Sequence, residues 1–136
     1  MSNKNESAPK KPAIIWLNLS VFAITFAVAL IGVPAYAYFE GFSVSTIIMA
    51  IVCLSFCELS ITAGYHRLWS HKAYETNTVV RFIYAIGGAF AVQNSALHWC
   101  SDHRIHHQHV DDGERDPYSA SRGFWYSHIG WMLREY

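Results

Sequence analysis

Cysteine and net charge are both scarce in this chain, and each shortage narrows what it can be. Three cysteines, Cys53, Cys57 and Cys100, are an odd number with no Cys-x-x-Cys pair. That pattern offers no disulfide framework, and the three are expected to be reduced, buried small hydrophobes. Lys plus Arg number 10 and Asp plus Glu number 10, for a formal net charge of zero, and no basic stripe interleaves with aromatics. A nucleic-acid-binding surface is therefore excluded. Two metal signatures are missing as well. No His-Glu-x-x-His pattern is present, which sets zinc peptidase chemistry aside. The acidic turn from Asp111 to Asp116-Pro117 lacks the full calcium-loop spacing, so calcium binding is not expected. What the chain does have is apolar and imidazole: 52% of its 136 residues are hydrophobic, 15% are aromatic, and eight are histidine.

The apolar residues are clustered. Residues 1–13 are polar, with Lys4, Lys10 and Lys11, and read as a disordered cytoplasmic tail. Ile14 to Phe39 carries no charge over 26 residues, enough to cross a bilayer core with some tilt. A signal peptide, suggested by Lys10, Lys11 and Ala35-Tyr36-Ala37, is the competing reading, but the stretch is too long for one. Pro34 should kink this helix or end it early. After Glu40-Gly41, Phe42 to Gly64 gives a second span of 23 mostly apolar residues, so the two form a membrane hairpin. Lys4, Lys10 and Lys11 precede the hairpin and Arg67, Lys72 and Arg81 follow it, while the turn carries only Glu40. The positive-inside rule places both ends in the cytoplasm.

Five further histidines make two tight groups. His103, His106 and His107 form one; about 100° per helical residue puts the latter two at roughly −60° and +40° from His103, on one face. His66 and His71 form the other. Five residues apart, they fall about 140° apart on a straight α-helix, so both reach one centre only where a helix ends or bends, and Gly64 offers that place. Imidazole suits iron, zinc and copper. A structural zinc site mixes cysteine with histidine in four ligands, whereas here five histidines exceed one tetrahedral shell, which favours two metals. The apolar stretch Val79 to Leu97 between the groups is long enough to be a third span. A crossing there would put the two groups on opposite sides of the membrane, so a helix along the cytoplasmic face is expected, in keeping with Arg81, Gly87-Gly88 and Gln93-Asn94. The last segment, Gly123 to Tyr136, is aromatic-rich and suits the membrane interface. It stops without a cap or polar tail, which suggests a fragment.

Ile61-Thr62-Ala63-Gly64-Tyr65 leading into His66 and His71, and Gln93-Asn94 leading to Asp102-His103-Arg104-Ile105-His106-His107, resemble the first and second histidine boxes of membrane acyl-CoA desaturases of the stearoyl-CoA type. Asp116-Pro117 and the run from Arg122 to Trp131 share the resemblance, which extends from about Glu58 to Leu133. It implies an all-α integral membrane enzyme, a transmembrane hairpin with cytoplasmic helices at 65–136, that inserts a double bond into a saturated acyl chain. It implies two iron ions, oxygen, an acyl-CoA or other acyl-carrier substrate and an electron-donor protein with a haem or iron–sulfur group. The membrane would be a bacterial inner or ER-like one. By the same resemblance His66, His71, His103, His106 and His107 are iron ligands, Gln93 and Trp99 line the bend of an acyl tunnel, and Asn94 lies near the thioester. The family's third histidine box and second hairpin do not follow Tyr136, so this chain reads as an N-terminal part, inactive alone. Ser101 replaces an arginine used toward the coenzyme head group, which leaves the acyl carrier open.

Plainer readings stand beside these. The box histidines can be a protonatable surface turn, although two clusters argue against that. His98 and His109 fall at about 220° and 240° on the wheel set by His103, off the ligand face. His128 fits a hydrogen-bonded supporting role better than ligation. Asp102 and Asp116 either orient ligand imidazoles or act as solvated or capping groups. Glu58 is an ionisable group inside a span and a functional candidate for that reason. Trp16, Trp69, Trp125 and Trp131 read as interface anchors. The functional rivals are a membrane hydroxylase or oxygenase with the same kind of centre and a metal-binding or transport protein.

Overall fold

In the computed structural model, which describes residues 12–135, the chain is helical, and among the described residues its sole strand-like feature is one antiparallel bridge, Ile14 to Arg134. Most of the polar tail expected at 1–13 lies outside the described residues.

The first long helix runs from Trp16 to Phe39. Pro34 does not end it. Without an N–H at that position the Leu30 carbonyl loses its i→i+4 partner, and the helix widens into one i→i+5 turn over Val28–Gly32 before resuming. Gly41, at φ +72°, reverses the chain. The second helix, Val44–Ser70, starts at Ser43, whose Oγ accepts the Thr46 N–H at 3.2 Å. Both helices are long and apolar enough to cross a membrane, and their side chains are bare: Leu17 is 73% exposed and Ile31 70%. Such surfaces match lipid tails and not water. Cys53 follows them. It is exposed, contrary to the expectation of three buried thiols; Cys57 is half-buried, Cys100 is buried, and all three are free.

The second helix also departs from the expected end at Gly64. Val44–Leu59 is α-helical, and Ser60–Ser70 continues it as a π-helix. Gly64 sits mid-helix because the third helix, Thr78–Phe90, crosses there: a Cβ on Gly64 would lie 2.7 Å from the Tyr84 Cβ. Gly87 and Gly88 answer from the other side, against Ser60 and the Tyr65 ring. Backbones approach this closely only where side chains are small. The third helix has 13 residues, roughly 20 Å of helix against a hydrocarbon core of about 30 Å, so it is too short to span. Asn77 caps it by accepting the Val80 N–H at 3.0 Å.

A corner at Ala91 to Ser95 follows, with Val92 (φ 55°) and Asn94 (φ 73°) left-handed. The fourth helix, Ala96–Gln108, begins where Ser95 accepts the His98 N–H. It lies on the π segment, and the Cys100 thiol donates to the Tyr65 carbonyl at 3.3 Å. The remaining short turns lead back to the first helix. Asn18 Nδ2 donates to the Met132 carbonyl at 2.7 Å, Ile15 N–H to Leu133 at 2.9 Å and Arg134 Nη1 to Pro12 at 2.6 Å. The aromatic C-terminal segment is thus tied to the start of the first helix, which its composition alone did not indicate.

Candidate metal centre

The π segment and the fourth helix bring four imidazoles together. His71 Nε2 lies 3.2 Å from His66 Nε2 and 3.1 Å from His103 Nε2, and His103 Nε2 lies 3.1 Å from His107 Nε2. One ring nitrogen from each of the four falls within 4.8 Å of the others. The i→i+5 ladder explains the pairing of His66 with His71: its closing bond runs from the His71 N–H to the His66 carbonyl at 3.0 Å. Residues five apart stack on a π-helix as residues four apart do on an α-helix. The bend expected at Gly64 is therefore unnecessary.

A neutral imidazole nitrogen either donates one hydrogen or offers one lone pair. Four Nε2 atoms making three contacts in a row can then form at most two hydrogen bonds, and the third contact is left unbonded. A cation between neighbouring rings satisfies their lone pairs together. With metal–nitrogen bonds of about 2.1 Å, neighbouring ligands sit roughly 3.0–3.4 Å apart, as the three contacting pairs do. Burial, followed by the neighbouring imidazoles of His66, His107, His71 and His106, pushes His103 down to about 4, so one of its ring nitrogens keeps a free lone pair at neutral pH. The donor set can bind a metal ion.

His106 is placed differently. It is not one of the four converging residues; its Nδ1 lies 2.9 Å from both carboxylate oxygens of Asp116. Asp116 is fully buried and also accepts the backbone N–H groups of Asp111 (3.0 Å) and Tyr118 (3.1 Å). Burial alone would raise this carboxyl, but the His106 hydrogen bond and the two N–H groups outweigh it and hold it below its ordinary value. A carboxylate that fixes Nδ1 leaves Nε2 as the coordinating nitrogen, the usual arrangement behind a metal-ligating histidine. Tyr118, absent from the sequence candidates, packs on His106 at 4.6 Å and brings its hydroxyl 3.4 Å from His103 Nδ1. Its place just after Asp116-Pro117 was the available signal.

Gln93, Asn94 and Trp99 line a cavity of about 270 Å³ together with His98, Asp102, His103 and Tyr118. Trp99 donates its indole N–H to Gln93 Oε1 at 3.1 Å and stacks on His103 at 4.8 Å. Asp102 pairs with His98 at 3.2 Å and not with any of the clustered imidazoles. His128 stacks on Phe124 at 5.4 Å. His109 closes the fourth helix, where its backbone N–H caps the Ile105 and His106 carbonyls. Glu58 is exposed on the second helix and forms no ion pair among the described residues. The acidic loop serves its own backbone: Asp112 accepts the N–H groups of Glu114 and Arg115, and Asp111 that of Ala120.

Fold and site together define a helical membrane protein with a histidine cluster able to hold a metal ion. The fatty acid desaturase family model matches residues 42–136, and the chain belongs to that family. It is 43% identical over 129 residues to an acyl-CoA Delta(11) desaturase of Choristoneura rosaceana, covering 94% of this chain and 37% of that protein. A probable acyl-CoA desaturase of Schizosaccharomyces pombe is 43% identical over 106 residues, 75% of this chain and 22% of its own length. An acyl-CoA Delta-9 desaturase of Acheta domesticus is 36% identical over 130 residues, 96% of this chain and 35% of its own. The chain thus spans well under half the length of these relatives.

Proposed function

We propose that the protein is an oxygen-dependent fatty acyl desaturase acting on acyl-CoA or a related acyl carrier at a centre of two iron ions, facing the cytoplasmic side of the membrane. The observation that carries this reading is the convergence of the His66, His71, His103 and His107 nitrogens, in a chain whose relatives are named acyl-CoA desaturases. His106, oriented by Asp116, is the fifth ligand. The bound iron pair supplies oxygen activation. The overall change removes two hydrogens from adjacent methylenes and, with two electrons from a donor protein and two protons, converts dioxygen to two waters.

The chain's own groups bind and position. His66, His71, His103 and His107 present four converging ring nitrogens to the metal. Asp116 keeps the His106 proton on Nδ1. Trp99 and Gln93, locked by their hydrogen bond, form a rigid wall beside His103, which limits where a flexible methylene chain can lie. Asn94, another lining residue of the cavity, has an amide available for the acyl carbonyl. The cytoplasmic orientation rests on the basic residues that flank the hairpin.

The test expresses this chain, and a form extended through the native reading frame beyond Tyr136, in a host that makes no unsaturated fatty acids. Iron per chain and the lipid products are then measured. New monounsaturated chains with iron in the extended form are the expected result. Hydroxylated chains would redirect the reading to an oxygenase, and zinc in place of iron with unchanged lipids would replace it with a metal-binding role.

A further inference from the structure

Three aromatic side chains lead away from the imidazole cluster in unbroken contact. The Trp99 indole lies nearly parallel to the His103 ring, 4.8 Å between centroids and 21° apart, and meets His66 edge-on at 6.4 Å. Tyr65 meets Trp99 at 6.0 Å and Trp69 at 5.4 Å. Tyr65 is 2% exposed, whereas Trp99 and Trp69 are half-buried. One end of the stack therefore touches two converging imidazoles, its middle is shielded from water, and its far end reaches the surface. Indole and phenol are among the most easily oxidised side chains, and rings this close exchange electrons readily. A separate branch, Tyr118 to Trp131 at 5.1 Å, leaves from His106, outside the four-nitrogen cluster. Trp16 and Trp125 share no ring contact with either path among the described residues.

We propose that Trp99, Tyr65 and Trp69 form an electron-donating wire from the surface to the metal centre, used when the centre has been oxidised and no acyl chain is there to react. The proposal rests on the metal-centre reading above. One electron leaves Trp69 and passes inward through Tyr65 and Trp99, so the centre is reduced by one electron. The Trp69 indole, short of one electron, releases its proton to water at the surface. A soluble one-electron reductant of the ascorbate class then returns an electron, and water returns the proton. Without that reductant the indole is left to react with oxygen and is permanently marked.

The test treats the iron-loaded, extended protein with hydrogen peroxide, without acyl substrate or ascorbate, and maps oxidised aromatic residues by peptide mass spectrometry beside an iron-free control. Oxidation at Trp99 and Trp69, with Trp16 and Trp125 unmarked, is expected. Tyr65→Phe keeps the ring and removes the oxidisable phenol; it should lose the Trp69 mark, keep the Trp99 mark and desaturate acyl substrate normally. Trp69→Phe, a second interruption at the outer end, should shorten the protein's working life under peroxide even when ascorbate is present. A Trp69 mark that persists in Tyr65→Phe, or equal marking of every tryptophan, overturns the wire while desaturation stands. A protein that holds no iron and makes no unsaturated product overturns both.

Discussion

Asp116→Asn isolates what the buried carboxylate contributes. Each Asp116 oxygen serves two donors: Oδ1 takes His106 and the Tyr118 N–H, and Oδ2 takes His106 and the Asp111 N–H. An asparagine amide has one oxygen and one NH2. Whichever way it lies, one backbone N–H then faces a donor inside a site with no water access, which costs about 1–3 kcal/mol. The charge that fixes the His106 proton on Nδ1 is lost as well, and loss of such outer partners typically weakens metal binding about 10–100-fold. The assay is competition with a graded series of chelators on iron-loaded protein, paired with the thermal midpoint of the metal-free form in the same detergent. Asp116→Asn should lower both. Wild-type metal affinity together with a lowered midpoint would refute the orienting role and leave Asp116 as a structural tie for the loop.

His103→Ala removes the nitrogen that contacts both His71 and His107 and should abolish stoichiometric metal binding, while His109→Ala, outside the cluster, should leave it intact; metal analysis after gel filtration separates the two. Gly88→Ala drives a methyl into the Tyr65 ring and should cost at least about 1–3 kcal/mol by overpacking, whereas Val79→Ala on an exposed position of the same helix should cost little, as thermal melts will read. The metal-free protein should lose stability as pH falls from about 6.5 toward 4. His103 has a folded value of about 4 and an ordinary value near 6.5 in the unfolded chain, so the unfolded state takes up its proton first and is favoured across that window. Asp116 has a lowered value, so its contribution is present above the ordinary carboxylate value and is lost below about pH 4. Melts between pH 7 and pH 3.5 should show both losses, and a flat profile would contradict them.

Much of this architecture is legible in residue order because the bilayer imposes a simple rule on composition. Twenty or more predominantly apolar residues can do little else than form a spanning helix, and the stretches before Phe39 and after Phe42 form helices long and apolar enough to cross a membrane. That the apolar stretch containing Thr78–Phe90 does not span was legible for a different reason: two histidine groups that share a centre cannot lie on opposite sides of a membrane. Their nitrogens do meet, at 3.1 Å. What residue order concealed was decided by long-range packing. Nothing local distinguishes Asp116, which closes on His106 ten residues back, from Asp102, one residue before His103, which turns instead to His98. Tyr118 became visible only once the loop folded over the fourth helix. The bond from Asn18 to Met132 spans 114 positions, beyond the reach of any local pattern.

The π-helical segment shows how spacing, packing and chemistry meet in one stretch. An α-helix over Ser60–Ser70 would separate His66 and His71 by about 140°, and only one could face the fourth helix. The i→i+5 ladder brings both round, and it also widens the helix where Gly64 receives Tyr84 and where Tyr65 fits against Gly88. The same contacts that hold the third helix against the π turns therefore set the angle between the two imidazoles. Wide turns are rare because their hydrogen bonds are no better than those of an α-helix while their geometry is less compact, so this segment needs that packing to persist. A deletion of one residue between His66 and His71 tests the point. It would restore α-helical spacing of four, favour an ordinary helix and keep both histidines on one face, yet shift Trp69, Ser70 and His71 relative to the third and fourth helices. If spacing alone made the centre, metal binding would survive the deletion. If the packed π segment makes it, binding should be lost even though far-ultraviolet circular dichroism reports as much helix as before.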